Sequence, residues 1–186
     1  MTILAIYSEK GGKPAELIND DELIAARLEP LNVRFERWEA TQELGDAPSQ
    51  EQVLAAYRSD VDRLMQAYDF QSVDVIALRP DHPDRVALRN KFLSEHIHTD
   101  FEVRFFVDGK GLFYIHAGDK VYGLLCEAGD LISVPDNTPH WFDMGEYPSF
   151  KCIRLFTTPE GWVAQYTENP IAARFPSFEQ FQRQFA

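Results

Sequence analysis

Apolar and polar positions alternate with two different periods along this chain, and the change of period falls near residue 95. Residues 2–7 alternate weakly and are rich in β-formers, which predicts an opening strand before the turn Gly11-Gly12-Lys13-Pro14. Asn19 with Glu22 three residues later has the form of a capping box for a short helix that ends at Leu28, before Glu29-Pro30. Val33 to Trp38 reads as a strand. Ser49 with Gln52 announces the clearest helix, which carries Val53, Leu54, Tyr57, Val61, Leu64, Met65 and Tyr68 on one face as a packing surface. Val73–Leu78 is expected to be a strand, Arg79–Pro83 a loop, and Asp84 to Phe92 a short helix.

From Glu95 to Thr157 short β-rich runs follow one another, at Glu102–Val107, Leu112–His116, Lys120–Cys126, Leu131–Val134, His140–Phe142 and Phe150–Phe156. Glycines 109, 111, 118, 129 and 145 punctuate them, a pattern that predicts an antiparallel sandwich or small barrel rather than a parallel α/β sheet. The expected organisation is one domain. It has a helix-rich α/β part over about 1–92, a β-barrel core over about 93–158, and a tail, 159–186, packing back on the barrel.

The length of 186 residues suits a single core, and 45% hydrophobic with 13% aromatic residues argues for an ordered globular chain. Eighteen Lys and Arg against thirty Asp and Glu leave a formal charge of -12, which disfavours nucleic acid or anionic lipid as a partner. The N-terminal residues lack a basic segment followed by an apolar run, so a cytoplasmic protein is expected. Cys126 and Cys152 are expected to be buried, reduced thiols. With no extended apolar stripe evident, a monomer is the expected state.

Chemistry concentrates at Glu95-His96-Ile97-His98-Thr99-Asp100-Phe101-Glu102, answered by His140 after Pro135-Asp136-Asn137-Thr138-Pro139. Side chains alternate across a strand, so His96, His98, Glu102 and Arg104 share parity and are expected on one interior face, with His140 brought in from a distant strand. Three imidazoles and one carboxylate suit iron, nickel, zinc or copper and leave an octahedral ion two positions short. Arg104, always protonated, is the candidate catalytic cation beside those positions. Phe92, Phe142 and Trp162 are candidate pocket walls, and Arg154 is a further pocket candidate. Glu95 and Phe101 have the opposite parity and are candidates for supporting the ligand loop.

The spacing resembles the two cupin motifs. His96, His98, Glu102 and Gly109 match the first, and Gly129, Pro135 and His140 match the second. Asn90, Asn137 and Met144 stand where those motifs have Gly, Gly and Asn. Within the cupins, Lys91 to Phe105, Gly109 to Tyr114 and Pro139 to Asp143 resemble the acireductone dioxygenase family of methionine salvage. The resemblance implies that His96, His98, Glu102 and His140 bind one Fe(II) or Ni(II), and that acireductone and O2 are the small-molecule partners. It further implies two outcomes: the iron form gives the 2-keto acid precursor of methionine and formate, and the nickel form gives methylthiopropanoate, formate and carbon monoxide. The competing expectation is a non-catalytic cupin that holds its metal for a structural or regulatory purpose.

Overall fold

The computed structural model describes residues 1–40, 44, 48–158 and 163–186. Among the described residues eleven strands are joined into two layers that share their longest member. The strands are β1 (Ile3–Ser8), β2 (Glu16–Ile18), β3 (Arg34–Arg37), β4 (Ser72–Leu78), β5 (His96–Ile97), β6 (Glu102–Ala117), β7 (Lys120–Glu127), β8 (Asp130–Val134), β9 (His140–Asp143), β10 (Phe150–Phe156) and β11 (Gln165–Tyr166). One layer runs β11-β5-β9-β6-β7-β1-β2, and the other runs β3-β8-β6-β10-β4. All pairings are antiparallel. This is the antiparallel barrel of a cupin, with helices flanking it.

The sixteen-residue β6 merges the two runs Glu102–Val107 and Leu112–His116, which Gly109 and Gly111 punctuate in the sequence. Its first part, Glu102–Phe105, pairs with β8, and its second part, Lys110–Ala117, pairs with β7. At the join, Gly109 takes a φ of 75°, and a β-carbon there would fall 1.9 Å from the Ser149 carbonyl oxygen. The glycine therefore lets the strand cross from one layer to the other without ending it.

The barrel is not confined to residues 93–158. β1 pairs with β7, β3 with β8 and β4 with β10, so the N-terminal part supplies strands at the edges of both layers. A strand's partner lies far away in sequence, which is why local patterning placed a boundary near residue 92.

Burial explains the weak alternation at the start. Leu4 and Ile6 point between the layers, where Phe106, Phe113, Leu124 and Ile132 meet them. Ile3, Ala5 and Tyr7 point the other way and are covered by Ile171, Phe175 and Phe181 of the C-terminal segment. Both faces of β1 are therefore apolar. The last helix, α5 (Phe178–Phe185), is fixed by a Ser177–Gln180 capping box, which satisfies two otherwise orphaned backbone N–H groups.

Two helical expectations shift in detail. The N-cap of α1 (Asp21–Leu28) is Asp20, whose carboxylate accepts from the Leu23 N–H at 2.9 Å, and not Asn19. The expected long helix after Ser49 is two helices, α2 (Gln50–Ala56) and α3 (Arg58–Tyr68), broken at Tyr57. The break lets Val53, Tyr57, Val61 and Leu64 all cover the outer side of β6, β8 and β10, against Phe105, Leu131 and Ile153. Tyr68, at the end of the expected stripe, is 47% exposed. A fourth helix, α4 (Arg85–Leu93), then leads into β5.

Candidate metal centre

His96, His98, Glu102 and His140 are buried together, and one ligand-capable atom from each lies within 4.8 Å of the others. Only Glu102 and Arg104 owe this to shared strand parity, because both lie on β6. His96 is on the two-residue β5, where it stands opposite His140 of β9, and the two ring centroids are 4.6 Å apart. His98 lies in the non-strand link between β5 and β6. Tertiary pairing, and not continuous alternation, brings the imidazoles to the carboxylate.

The turn before His140 takes part in this. Asn137 has φ 55°, the left-handed region that asparagine tolerates, and its N–H donates to the His98 carbonyl at 2.8 Å. The glycine-to-asparagine departure thus keeps the backbone shape and ties the two ligand segments to each other.

Each imidazole is held through Nδ1. His96 donates to the Ser94 carbonyl at 2.7 Å, His140 to the Thr138 carbonyl at 2.7 Å, and His98 to the Val163 carbonyl at 3.2 Å. A carbonyl accepts only, so Nδ1 carries the proton and Nε2 keeps its lone pair for a metal. Nε2 of His98 and of His140 lie 3.0 Å and 3.1 Å from the same oxygen, Oε2 of Glu102. Adjacent donors on an ion bound at about 2.1 Å are about 3.0 Å apart, so the separations fit a common cation. The other carboxylate oxygen, Oε1, is 2.8 Å from Nε of Arg104.

Charge supports the same assignment. Burial raises the Glu102 carboxyl, but the Arg104 guanidinium beside it outweighs burial and holds it well below the usual range. Burial, followed by the nearness of His140, pushes His96 down to about 4. His96 is thus a neutral imidazole and Glu102 an ionised carboxylate at neutral pH, the forms a metal needs. Cys126 and Cys152 are buried free thiols that burial pushes up, Cys152 to about 12, and neither belongs to the cluster.

Arg104 is 2% exposed and is wrapped by aromatic rings. Its guanidinium carbon lies 4.5 Å from the Phe142 centroid, 5.3 Å from Phe113 and 5.8 Å from Phe92. Phe92 also sits 6.3 Å from the His96 ring. Phe113 was missed by local reading; its signal is non-local, because it faces Phe142 across the β6–β9 register. Arg154 is opposite Arg104 in the β10–β6 register, but its guanidinium forms a two-pronged pair with Asp74, at 2.8 Å and 2.6 Å. Trp162 lies outside the described residues.

The two supporting candidates separate. Glu95 is buried and bonds to the His116 ring and to Thr167, neither of which belongs to the four-residue cluster. Phe101 is 41% exposed and lines a cavity of about 70 Å³ with Tyr68, Phe70 and Val103, outside the barrel. Phe101, expected to support the ligand loop, thus stands just before β6 with its ring in this outer cavity. The Val163 carbonyl on His98 is a backbone contact and leaves no mark in residue type.

The chain matches the model of the ARD/ARD' family over residues 5–164. It is 57% identical over 180 residues to an acireductone dioxygenase of Aquifex aeolicus, covering 97% of this chain and 98% of that protein. It is 53% identical to one from Methylococcus capsulatus over the full length of both. A solved acireductone dioxygenase of Bacillus anthracis, with a cadmium ion in its active centre, superposes with a TM-score of 0.79 at 29% identity and covers 89% of this chain and 98% of its own. A dioxygenase relationship spanning nearly the whole chain thus accompanies a cluster built to take a metal, and the chain belongs to the ARD/ARD' family.

Proposed function

We propose that the protein cleaves acireductone with O2, using one Fe(II) or Ni(II) held by His96, His98, Glu102 and His140. The observation that carries the reading is the buried three-histidine, one-glutamate cluster with Arg104 against the free carboxylate oxygen. Three neutral imidazoles, one carboxylate and one guanidinium sum to zero. A divalent ion then leaves two positive charges, which matches the dianion of an enediol ketone.

When bound, such an ion supplies exchangeable coordination positions that favour the deprotonated enediol and a redox-active centre for oxygen. The chain does the rest. Glu102, kept ionised, offers Oε2 to the centre, while Arg104 holds Oε1 and stays available to an anionic substrate oxygen. The carbonyls behind the imidazoles fix their tautomers and aim Nε2 inward. Phe92, Phe113 and Phe142 exclude water around the guanidinium, which strengthens its pull on developing charge. These rings also offer an apolar surface for the methylthio tail.

The test is elemental analysis of the purified protein, then oxygen uptake and product identification after anaerobic loading with iron or nickel. The iron-loaded protein is expected to give the 2-keto acid and formate, and the nickel-loaded protein methylthiopropanoate, formate and carbon monoxide. Absence of oxygen uptake with acireductone in both metal forms would overturn the proposal.

A further inference from the structure

We propose that Glu95 is a positioning residue, whose single buried carboxylate ties together the three segments that present the imidazoles. The proposal rests on the metal-site reading above. Glu95 is 3% exposed and directly precedes His96. Its Oε1 accepts from the Thr167 hydroxyl at 2.6 Å, and its backbone carbonyl accepts from the Thr167 N–H at 3.1 Å. Its Oε2 accepts from His116 Nδ1 at 2.7 Å.

Each partner leads to another ligand. Thr167 ends the stretch in which β11 pairs with β5, and the start of that stretch supplies the Val163 carbonyl that holds His98 Nδ1. His116 donates its backbone N–H to the Pro139 carbonyl at 2.9 Å, one residue before His140. Glu95 therefore reaches His96 through a peptide bond, His98 through the Thr167 stretch, and His140 through His116.

Simple space-filling does not account for this residue. A buried carboxylate costs desolvation, and an apolar side chain would fill the same volume without that cost. The chain also takes on backbone strain next to the contact. Glu168 has φ 60°, a left-handed conformation unusual outside glycine, and the turn lets the Asn169 N–H donate to Thr167 Oγ1 at 3.3 Å. The Thr167 hydroxyl oxygen thus accepts from Asn169 while its O–H donates to Glu95 Oε1.

The experiment measures Co(II) affinity by chelator competition, and the visible Co(II) spectrum, for the full-length parent and variants, with thermal melts of the metal-free proteins as control. Outer partners that orient metal ligands are typically worth about 10- to 100-fold in affinity. Thr167→Val, which keeps shape and removes the hydroxyl, is expected to weaken Co(II) binding by about tenfold and alter the spectrum, with the metal-free melt nearly unchanged. Glu95→Ala is expected to weaken it by about 100-fold, and Glu95→Gln, which can still bond both partners, to fall in between. Should Glu95→Ala fail to fold, Thr167→Val and His116→Phe carry the test. Affinities of Thr167→Val and His116→Phe within twofold of the parent, with the parent spectrum, overturn the proposal; so does a loss of affinity matched by an equal loss of metal-free stability. Oxygen uptake by the unmodified holoprotein tests the dioxygenase reading separately, since either result can fail while the other stands.

Discussion

A β-carbon on Gly111 would lie 2.5 Å from the ring of Phe142. The missing side chain on β6 is therefore what gives this ring its place, and the same ring lies 4.5 Å from the Arg104 guanidinium carbon, nearer than Phe113 or Phe92. Glycine is present at this strand position for close approach, since its φ is not in the left-handed region.

Gly111→Ala is accordingly expected to destabilise the fold by about 1–3 kcal/mol, as overpacking does, and to push Phe142 toward the guanidinium. Thermal or denaturant unfolding measures the first effect, and KM measures the second. Adding Phe142→Leu to the same chain should restore much of the stability. A single variant as stable as the parent would show that the ring has room to retreat.

Arg104 is expected to matter to the reaction more than to metal retention. Removing one preorganised donor typically costs about 100- to 1,000-fold in rate, so Arg104→Met should lower kcat/KM by that order while metal analysis still finds an ion. Arg104→Lys is not expected to rescue, because an ammonium lacks the planar fork that serves Glu102 and substrate together. Recovery of more than a tenth of the parent kcat/KM by either variant counts against the assigned role.

Metal removal should reduce stability, since an ion that binds only the folded cluster adds RT ln(1 + [M]/Kd). This is about 4 kcal/mol when the metal is at a thousandfold excess over Kd. Chelated protein is expected to melt lower and to recover on adding Ni(II). His140→Ala should be insensitive to both treatments, and a melt of the parent that ignores chelator and nickel would count against the cluster as a metal centre.

Asp130, outside the ligand cluster, should introduce a pH dependence of stability. Burial outweighs its bonds to Thr2, to the Glu127 N–H and to Arg37, and pushes its carboxyl from 3.8 up to about 6. Between those values the native group keeps a proton that the unfolded chain has released. Its contribution is therefore complete below the lower value and declines as pH rises through the upper one, at most by about 1.4 kcal/mol per pH unit. Asp130→Asn stays neutral throughout, so the stability difference between variant and parent should change across this window. Denaturant unfolding at several pH values checks it; a constant difference would contradict the shift.

Residue type and spacing alone specified the donor set, the antiparallel β class and the cation beside the ligands. Donor chemistry is local to a side chain, and turn glycines and β-branched runs act over a few residues. His96, His98, Glu102, His140 and Arg104 are legible for that reason. Tertiary structure decided how they meet: His96 faces His140 across β5 and β9, and Glu102 alone shares a strand with Arg104. It also turned Phe101 outward, engaged Arg154 with Asp74, and made β6 one bent strand. The contacts behind the site, from Val163 to His98, from Thr167 and His116 to Glu95, and from Gly111 to Phe142, join residues 21 to 72 positions apart. Pairings of that separation are selected by burial and hydrogen bonding across the whole barrel, which no local period encodes.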